Sequence, residues 1–456
     1  MVRNEGPVPQ EKRARGPHGA GRADALIAVA LRHFVSVTGL LAVVAYASVY
    51  TCQLADAPIR SDGYSYYVYL PSWLLHHDAT LQSIADDCCG GTFPEFAGVR
   101  RWPETGRWVN VHPIGVAIQM VPFFTAAHLL TRWSNLPPDG FSPYYQYAAG
   151  LAGLCAMLAG LAVLRALLSR HFPDRIVLAT LVTITWGTNL FHYGVYDATF
   201  SHAFSFFLIA ALVALTERWW QAATRTTSFW LAIVAALIVL TRHPNAVFLF
   251  VVPLYGVTTV RALRRNAAML VERRWVVTGM VAVCAACLLP QVAIYKAQTG
   301  HWFVSTYAQF GAFSFMAPHL WGVLFGVSKG LFFWSPVLLL AVAGAVVSKG
   351  WTPQVCAAAM LIFALDTWLI ASWSDWQFGG SYGHRGFTDG LALAAILLAG
   401  FFEWSEARPR LSALVRVVTA LAVVLSIAQM IQYWLRIIPF ADTTWAQYRE
   451  LFLRFR

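Results

Sequence analysis

VHPIGVAIQMVPFFTAAHLL, residues 111–130, is apolar enough to pass for a membrane span. Whether it crosses decides the side on which every later loop lies. If it crosses, the next apolar run, 145–164, ends outside and places Arg165, Arg170 and Arg175 there. If it lies in the interface or re-enters, those arginines fall on the cytoplasmic side. The later basic loops, 261–274 and 408–416, then fall there too. Lys and Arg in short loops set orientation, so the expectation is a segment that does not cross. Pro113 and Pro122 argue the same way, since proline interrupts an ordinary helix.

Of the 456 residues, 58% are hydrophobic and 12% charged. Soluble domains carry about 25% charged residues. Several runs approach the roughly 20 apolar residues that a crossing helix needs. The expected fold class is an all-α polytopic membrane protein with about 11 transmembrane helices (range about 10–13). The spans run over 31–52, 145–164, 176–196, 200–215, 229–240, 246–260, 275–295, 330–347, 356–373, 387–402 and 411–435. Residues 1–30 form a disordered cytoplasmic tail and 31–437 the transmembrane domain. Residues 54–132 are its first external loop, with juxtamembrane helices, and 438–456 an interfacial C-terminal tail. The net charge of +11 follows the positive-inside pattern, so nucleic acid is excluded as a partner and membrane lipids are expected. Seven cysteines form no metal-ligand array. Cys284 and Cys287 sit in an apolar run and read as packing residues. Cys88 and Cys89 could oxidise in the first external loop, with each other or with Cys52.

Upstream of the decisive segment lies RSDGYSYYVYLPSWLLHHD, from Arg60 to Asp78. Tyr and Trp favour the bilayer–water boundary, so this reads as one surface helix with the carboxylate of Asp62 at its start. Under the chosen topology other polar groups reach the same outer face: His76, His77, Asp78, His112, Asp197, His202, Arg242, His243, Lys329, Trp376, Tyr382, His384 and Arg385. Ionisable groups near membrane depth are costly and mark function by default. Bland roles stand beside that reading: Asp78 and Asp197 can cap the helices that follow them, and Arg242 can snorkel at a helix end. Asp366, inside an apolar run, reads as a bond to another helix.

One carboxylate among several cations suits a particular chemistry. A hydroxyl nucleophile needs a base, which Asp62 can be. A phosphate leaving group needs positive charge. A substrate embedded in the bilayer needs a lipid-facing groove. Glycosyl transfer from a polyprenyl-phosphate sugar has all three needs.

At these residues the chain resembles the GT-C superfamily of membrane glycosyltransferases, which includes protein O-mannosyltransferases and lipid A aminoarabinose transferases. Asp62 in SDGYSYYVYLP resembles that family's Asp in the first external loop. His112-Pro113-Ile114-Gly115 resembles its His-Pro-Pro-Leu stretch, which opens a non-crossing helix. Asp197 in VYDATFSH, LTRHPN around Arg242, and FGGSYGHRGFTD around Arg385 match later stretches in order. Where the family often has Asp-Glu, this chain has Asp62-Gly63, and the second proline after His112 is lost. The resemblance implies an inverting transfer to an acceptor hydroxyl at the external face, with Asp62 as general base. Arg242, His243, Lys329 and Arg385 are then candidates for the donor phosphate. Tyr64, Tyr67, Asp78, His112, Asp197, His202, Trp376, Tyr382 and His384 are candidates for meeting the acceptor or supporting the site. No cofactor is firmly implied; a divalent metal is possible in some branches. The donor would be a polyprenyl-phosphate sugar and the acceptor a lipid, glycan or protein. Ala and Arg usage leans towards a bacterial plasma (inner) membrane, with the N-terminus cytoplasmic and the site periplasmic. The alternatives are a multi-span transporter or flippase, whose polar groups would sit nearer the midplane, and a non-catalytic scaffold on the same fold.

Overall fold

A computed structural model describes residues 21–88, 91–309 and 311–455. It is 69% helix and 2% strand. Among the described residues, six helices are long and apolar enough to cross a membrane: Arg22–Thr51, Pro143–Leu168, Ser201–Gln221, Arg274–Thr299, Pro353–Ser372 and Pro409–Trp434. The molecule is therefore a mostly helical, membrane-embedded protein.

The other five expected spans are shorter or broken, and the breaks have local causes. The run 176–196 splits into Asp174–Trp186 and Leu190–Val195 at Gly187. The run 246–260 becomes a 3₁₀ helix, His243–Phe250, and one helical turn, Val251–Leu254, ending before the left-handed Gly256 (φ 74°). The run 330–347 breaks between Leu331–Trp334 and Leu338–Val347, where Pro336 cannot continue a helix. The remaining two are Arg225–Thr241 and Leu391–Glu406, of 17 and 16 residues. Helix length thus supports six crossings.

The decisive stretch forms the Gly115–Arg132 helix, with Pro122 inside it, and is not one of the six. Its first residue presses on the Leu240–Thr241 backbone, where no side chain would fit. Ahead of it lies an element the sequence did not announce, an antiparallel pair of strands, Val99–Arg101 and Trp108–Asn110. Asn110 at its end donates to the Ser65 carbonyl (2.6 Å) and accepts from the His112 amide (3.0 Å). The hairpin thereby sets His112 against the stretch that begins with Asp62.

Two readings need correction. The tail expected to be disordered over 1–30 ends earlier, because the Arg22–Thr51 helix already includes 22–30 and has Asp24 in its first turn, a favourable place for an acid. Residues 1–20 lie outside the described residues, as do Cys89 and the Cys88 side chain on which the oxidation reading falls. The surface helix from Arg60 to Asp78 is two short helices, Asp62–Tyr67 and Tyr69–Leu74. Three of its four tyrosines are enclosed by protein: Tyr66, Tyr67 and Tyr69 are 3%, 1% and 0% exposed. Their hydroxyls donate to Ser201, the Gly140 carbonyl and the His112 carbonyl, which is how a buried phenol is satisfied. The C-terminal Trp445–Leu451 helix folds back on the bundle, its Tyr448 ring edge-on to Phe333 and its hydroxyl accepting from Gln429.

Candidate active site

Asp62 opens its helix directly after Ser61, whose φ of 47° is a strained conformation for a residue with a side chain, of order 1–3 kcal/mol. Gly63 then packs so tightly on Thr199 and Phe200 that a Cβ would overlap the Thr199 hydroxyl. The absence of a side chain at Gly63 thus lets the Asp62 helix dock against the loop at 197–200. Gly63→Ala is expected to lower the thermal midpoint, overpacking being worth about 1–3 kcal/mol. An unchanged midpoint in a melting experiment would refute the close fit.

The Asp62 carboxylate, 27% exposed, meets Arg385 Nη1 at 2.8 Å. The Arg385 guanidinium lies over the rings of Phe200 and Phe378, 5.4 and 5.9 Å from their centroids, which favours a cation. Burial works to raise the Asp62 pKa, but Arg385, His112, His202 and Arg242 together outweigh it and hold the carboxyl below its ordinary range.

His112 sits beside it. Ser65 Oγ donates to the Asp62 carbonyl (2.7 Å), so it must accept from His112 Nδ1 at 2.6 Å. That assigns the proton of the neutral ring to Nδ1. Tyr66 lies 4.2 Å from the ring, centroid to centroid. Burial pushes the His112 pKa down to about 4; Asp62 opposes this, and Arg385 and Arg242 add to it. The unfolded chain takes up this proton near its ordinary 6.5, so folding stability is lost as pH falls from 6.5 towards 4, by about 3 kcal/mol for this one group. His384, driven by burial to about 3, acts in the same direction. The thermal midpoint should therefore drop between pH 7 and pH 4.5, and His112→Gln should shrink that drop. A drop of full size in the variant would remove His112 as a cause.

A second charged group adjoins the first. Asp389, 0% exposed, accepts from Arg242 Nη1 (2.7 Å), His202 Nδ1 (2.8 Å) and Asn245 Nδ2 (2.9 Å). These donors come from the start of Ser201–Gln221, the end of Arg225–Thr241 and the 3₁₀ helix after it. Asp389 itself stands two residues before Leu391–Glu406. Asp197 anchors a third group. It binds Arg60 Nη2 (2.7 Å) and His192 Nε2 (2.9 Å), while Trp434 Nε1 donates to His192 Nδ1 (2.9 Å). This ties the first loop to the Pro409–Trp434 helix. The alternative of a cap is not realised, since the Ser201–Gln221 helix starts without a side-chain cap.

The other candidates separate from this cluster. His243 Nδ1 donates to the Val239 carbonyl (3.0 Å), and Nε2 pairs with the Tyr295 hydroxyl (2.7 Å), a structural role at a helix end. The Lys329 ammonium, 2% exposed, donates to the Ser381 and Phe440 carbonyls. Burial, with Arg385 adding, lowers its pKa to about 7. Asp78 caps the next segment, taking the amides and hydroxyls of Thr80 and Ser83. Tyr64 stacks on Phe141, and Tyr67 is committed to Gly140. Tyr382 donates to the Ser426 carbonyl, and His384 Nε2 to the Trp376 carbonyl. The Trp376 ring stacks on His319. Asp366 lines an apolar cavity of ≈ 80 Å³ with Phe248, Phe363, Phe387 and Leu391.

Sequence reasoning missed Asp389, Ser65, Asn110, Asn245, Arg60 and His192. Asp389 had a usable signal: an acid four residues after Arg385, heading an apolar run. Among the described residues, no three His, Cys, Asp or Glu side chains gather as a metal site. In comparison with known proteins, the chain matches no family model, no curated protein and no solved structure.

Proposed function

We propose that the protein is an integral-membrane glycosyltransferase that moves a sugar from a polyprenyl-phosphate donor to an acceptor hydroxyl. The reading includes about eleven crossings, with Asp62 on the external face of a bacterial inner membrane. The observation that carries it is the ionised Asp62 beside Arg385, with the Arg242–Asp389 pair next to it. The acceptor O–H gives its proton to the Asp62 carboxylate as its oxygen bonds to the anomeric carbon. The bond from that carbon to the phosphate oxygen breaks on the opposite face, so the configuration inverts. The polyprenyl phosphate leaves with the bonding pair, and Arg385 and Arg242 lie where that charge grows. Asp62 is a weak base, so proton transfer has to accompany attack, when the hydroxyl is becoming acidic.

Mass spectrometry of lipids retained by the purified protein, followed by transfer assays with the lipid-phosphate sugars found, tests this reading. A sugar-bearing polyprenyl phosphate that is consumed with release of polyprenyl phosphate supports it. Movement of a lipid across liposomes with no sugar transferred replaces it with the flippase reading.

A further inference from the structure

At the end of the bundle opposite Asp62, a crevice of ≈ 340 Å³ opens between the Arg22–Thr51 and Pro143–Leu168 helices. That volume lies in the range of small-molecule sites, about 300–1,000 Å³. Ala28 and Ala166 leave the gap by being small, and Arg32, Arg165, Ser169 and Asp174 line it. Arg165 fixes the two helices together, Nη1 donating to the Leu31 and Arg32 carbonyls at 3.2 and 2.9 Å. A guanidinium has five N–H donors, so this leaves donors over. Among the described residues, no ion pair joins Asp174 to either arginine. The crevice therefore presents two cations and one anion that do not neutralise one another directly.

Its depth is defined by helix geometry. Arg32 precedes Thr51 by 19 residues, about 28 Å of helix. Arg165 follows Pro143 by 22 residues, about 33 Å. A hydrocarbon core is about 30 Å thick, so when Thr51 and Pro143 stand at one boundary both arginines stand at the other, at the level of lipid phosphates. On the Arg32 side of the Arg22–Thr51 helix, Val35 and Gly39 are half-buried and Val43 is exposed, an apolar stripe at helical spacing running from the crevice towards the bilayer centre.

We propose that this crevice holds the head group of a phospholipid whose phosphodiester is joined to a primary amine. The phosphodiester lies on Arg32 and Arg165, the ammonium on Asp174, and the acyl chains along the stripe. Asp174 selects the amine: a purely anionic head group would face its carboxylate, and a quaternary ammonium has no N–H to donate to it. The proposal is independent of the chemistry at Asp62.

The full chain, purified in detergent, is melted with added phosphatidylethanolamine, phosphatidylglycerol or phosphatidylcholine of matched acyl chains. A lipid that binds the folded form raises the midpoint. Phosphatidylethanolamine is expected to raise it by several degrees more than the other two. Arg32→Gln, an exposed position outside the candidate active site, should abolish that gain, and Asp174→Asn should erase the preference over phosphatidylglycerol. Equal stabilisation by all three lipids, stabilisation by none, or survival of the preference in both variants overturns the proposal, as does an equal shift with free phosphoethanolamine.

Discussion

If the protein transfers sugar as proposed, Asp62→Asn is expected to lower the initial rate by about 10²–10⁴-fold, the usual contribution of a positioned general base, and to leave the protein folded. Asn matches Asp in size and keeps an oxygen near Arg385, so the helix docked through Gly63 has no reason to move. Arg385 loses a partner but keeps the rings of Phe200 and Phe378 beneath its guanidinium. Donor binding should therefore survive or tighten, because Arg385 is no longer shared between the carboxylate and the phosphate. The deficit should fall on kcat, with KM for the donor unchanged or lower. A variant that transfers sugar at the wild-type rate while melting normally would remove Asp62 as the base. The pH profile gives a second readout. Arg385 and its neighbours hold the Asp62 pKa below 3.8, so Asp62 is ionised throughout pH 5–8. An acid limb caused by Asp62 lies below pH 3.8; one centred near pH 6 belongs to another group.

The parts of the site that were legible in the sequence are those whose meaning survives without knowing a partner. Asp62 and Arg385 stood out as ionisable groups bordering apolar runs, and they meet at 2.8 Å. His112 was marked by its place at the head of a proline-bearing segment, and it lies one hydroxyl away from the Asp62 backbone. His243 and Lys329 looked equally free on paper, but a sequence shows a cation without showing what already holds it. Tyr295 holds the first, and two backbone carbonyls hold the second. Asp389 was hidden by the opposite effect. The apolar run LALAAILLAG that follows it invites a span drawn from Phe387, which takes in the acid as one tolerated polar residue. The strand pair at 99–110 was illegible because three-residue strands carry too few positions for alternation to register. The span count diverged for a related reason: hydropathy averages over Gly187 and Pro336 and does not see that the helix stops there.

Asp389→Ala is expected to remove most of the folded protein. The carboxylate is fully enclosed and gathers three donors from three separate segments, so one truncation leaves Arg242, His202 and Asn245 without their shared acceptor. Leaving one partner of a buried pair uncompensated costs about 3–5 kcal/mol, against a total stability of about 5–15 kcal/mol. Yield from membranes and the melting midpoint of whatever is recovered measure the loss. Because a collapsed fold also abolishes activity, that variant alone cannot separate a scaffold from a site. The paired change Asp389→Leu with Arg242→Met can. Replacing both members of a buried ion pair with apolar side chains of similar size is often neutral or stabilising, so the midpoint should return most of the way, short of the bonds lost at His202 and Asn245. If Arg242 only neutralises Asp389, transfer should return with the fold. If Arg242 also meets the departing phosphate, the doubly substituted protein melts almost normally and transfers sugar at least about 10²-fold more slowly, the scale of removing one preorganised group that stabilises developing charge. Recovery of both stability and rate would confine Arg242 to the scaffold and leave Arg385 as the cation facing the donor.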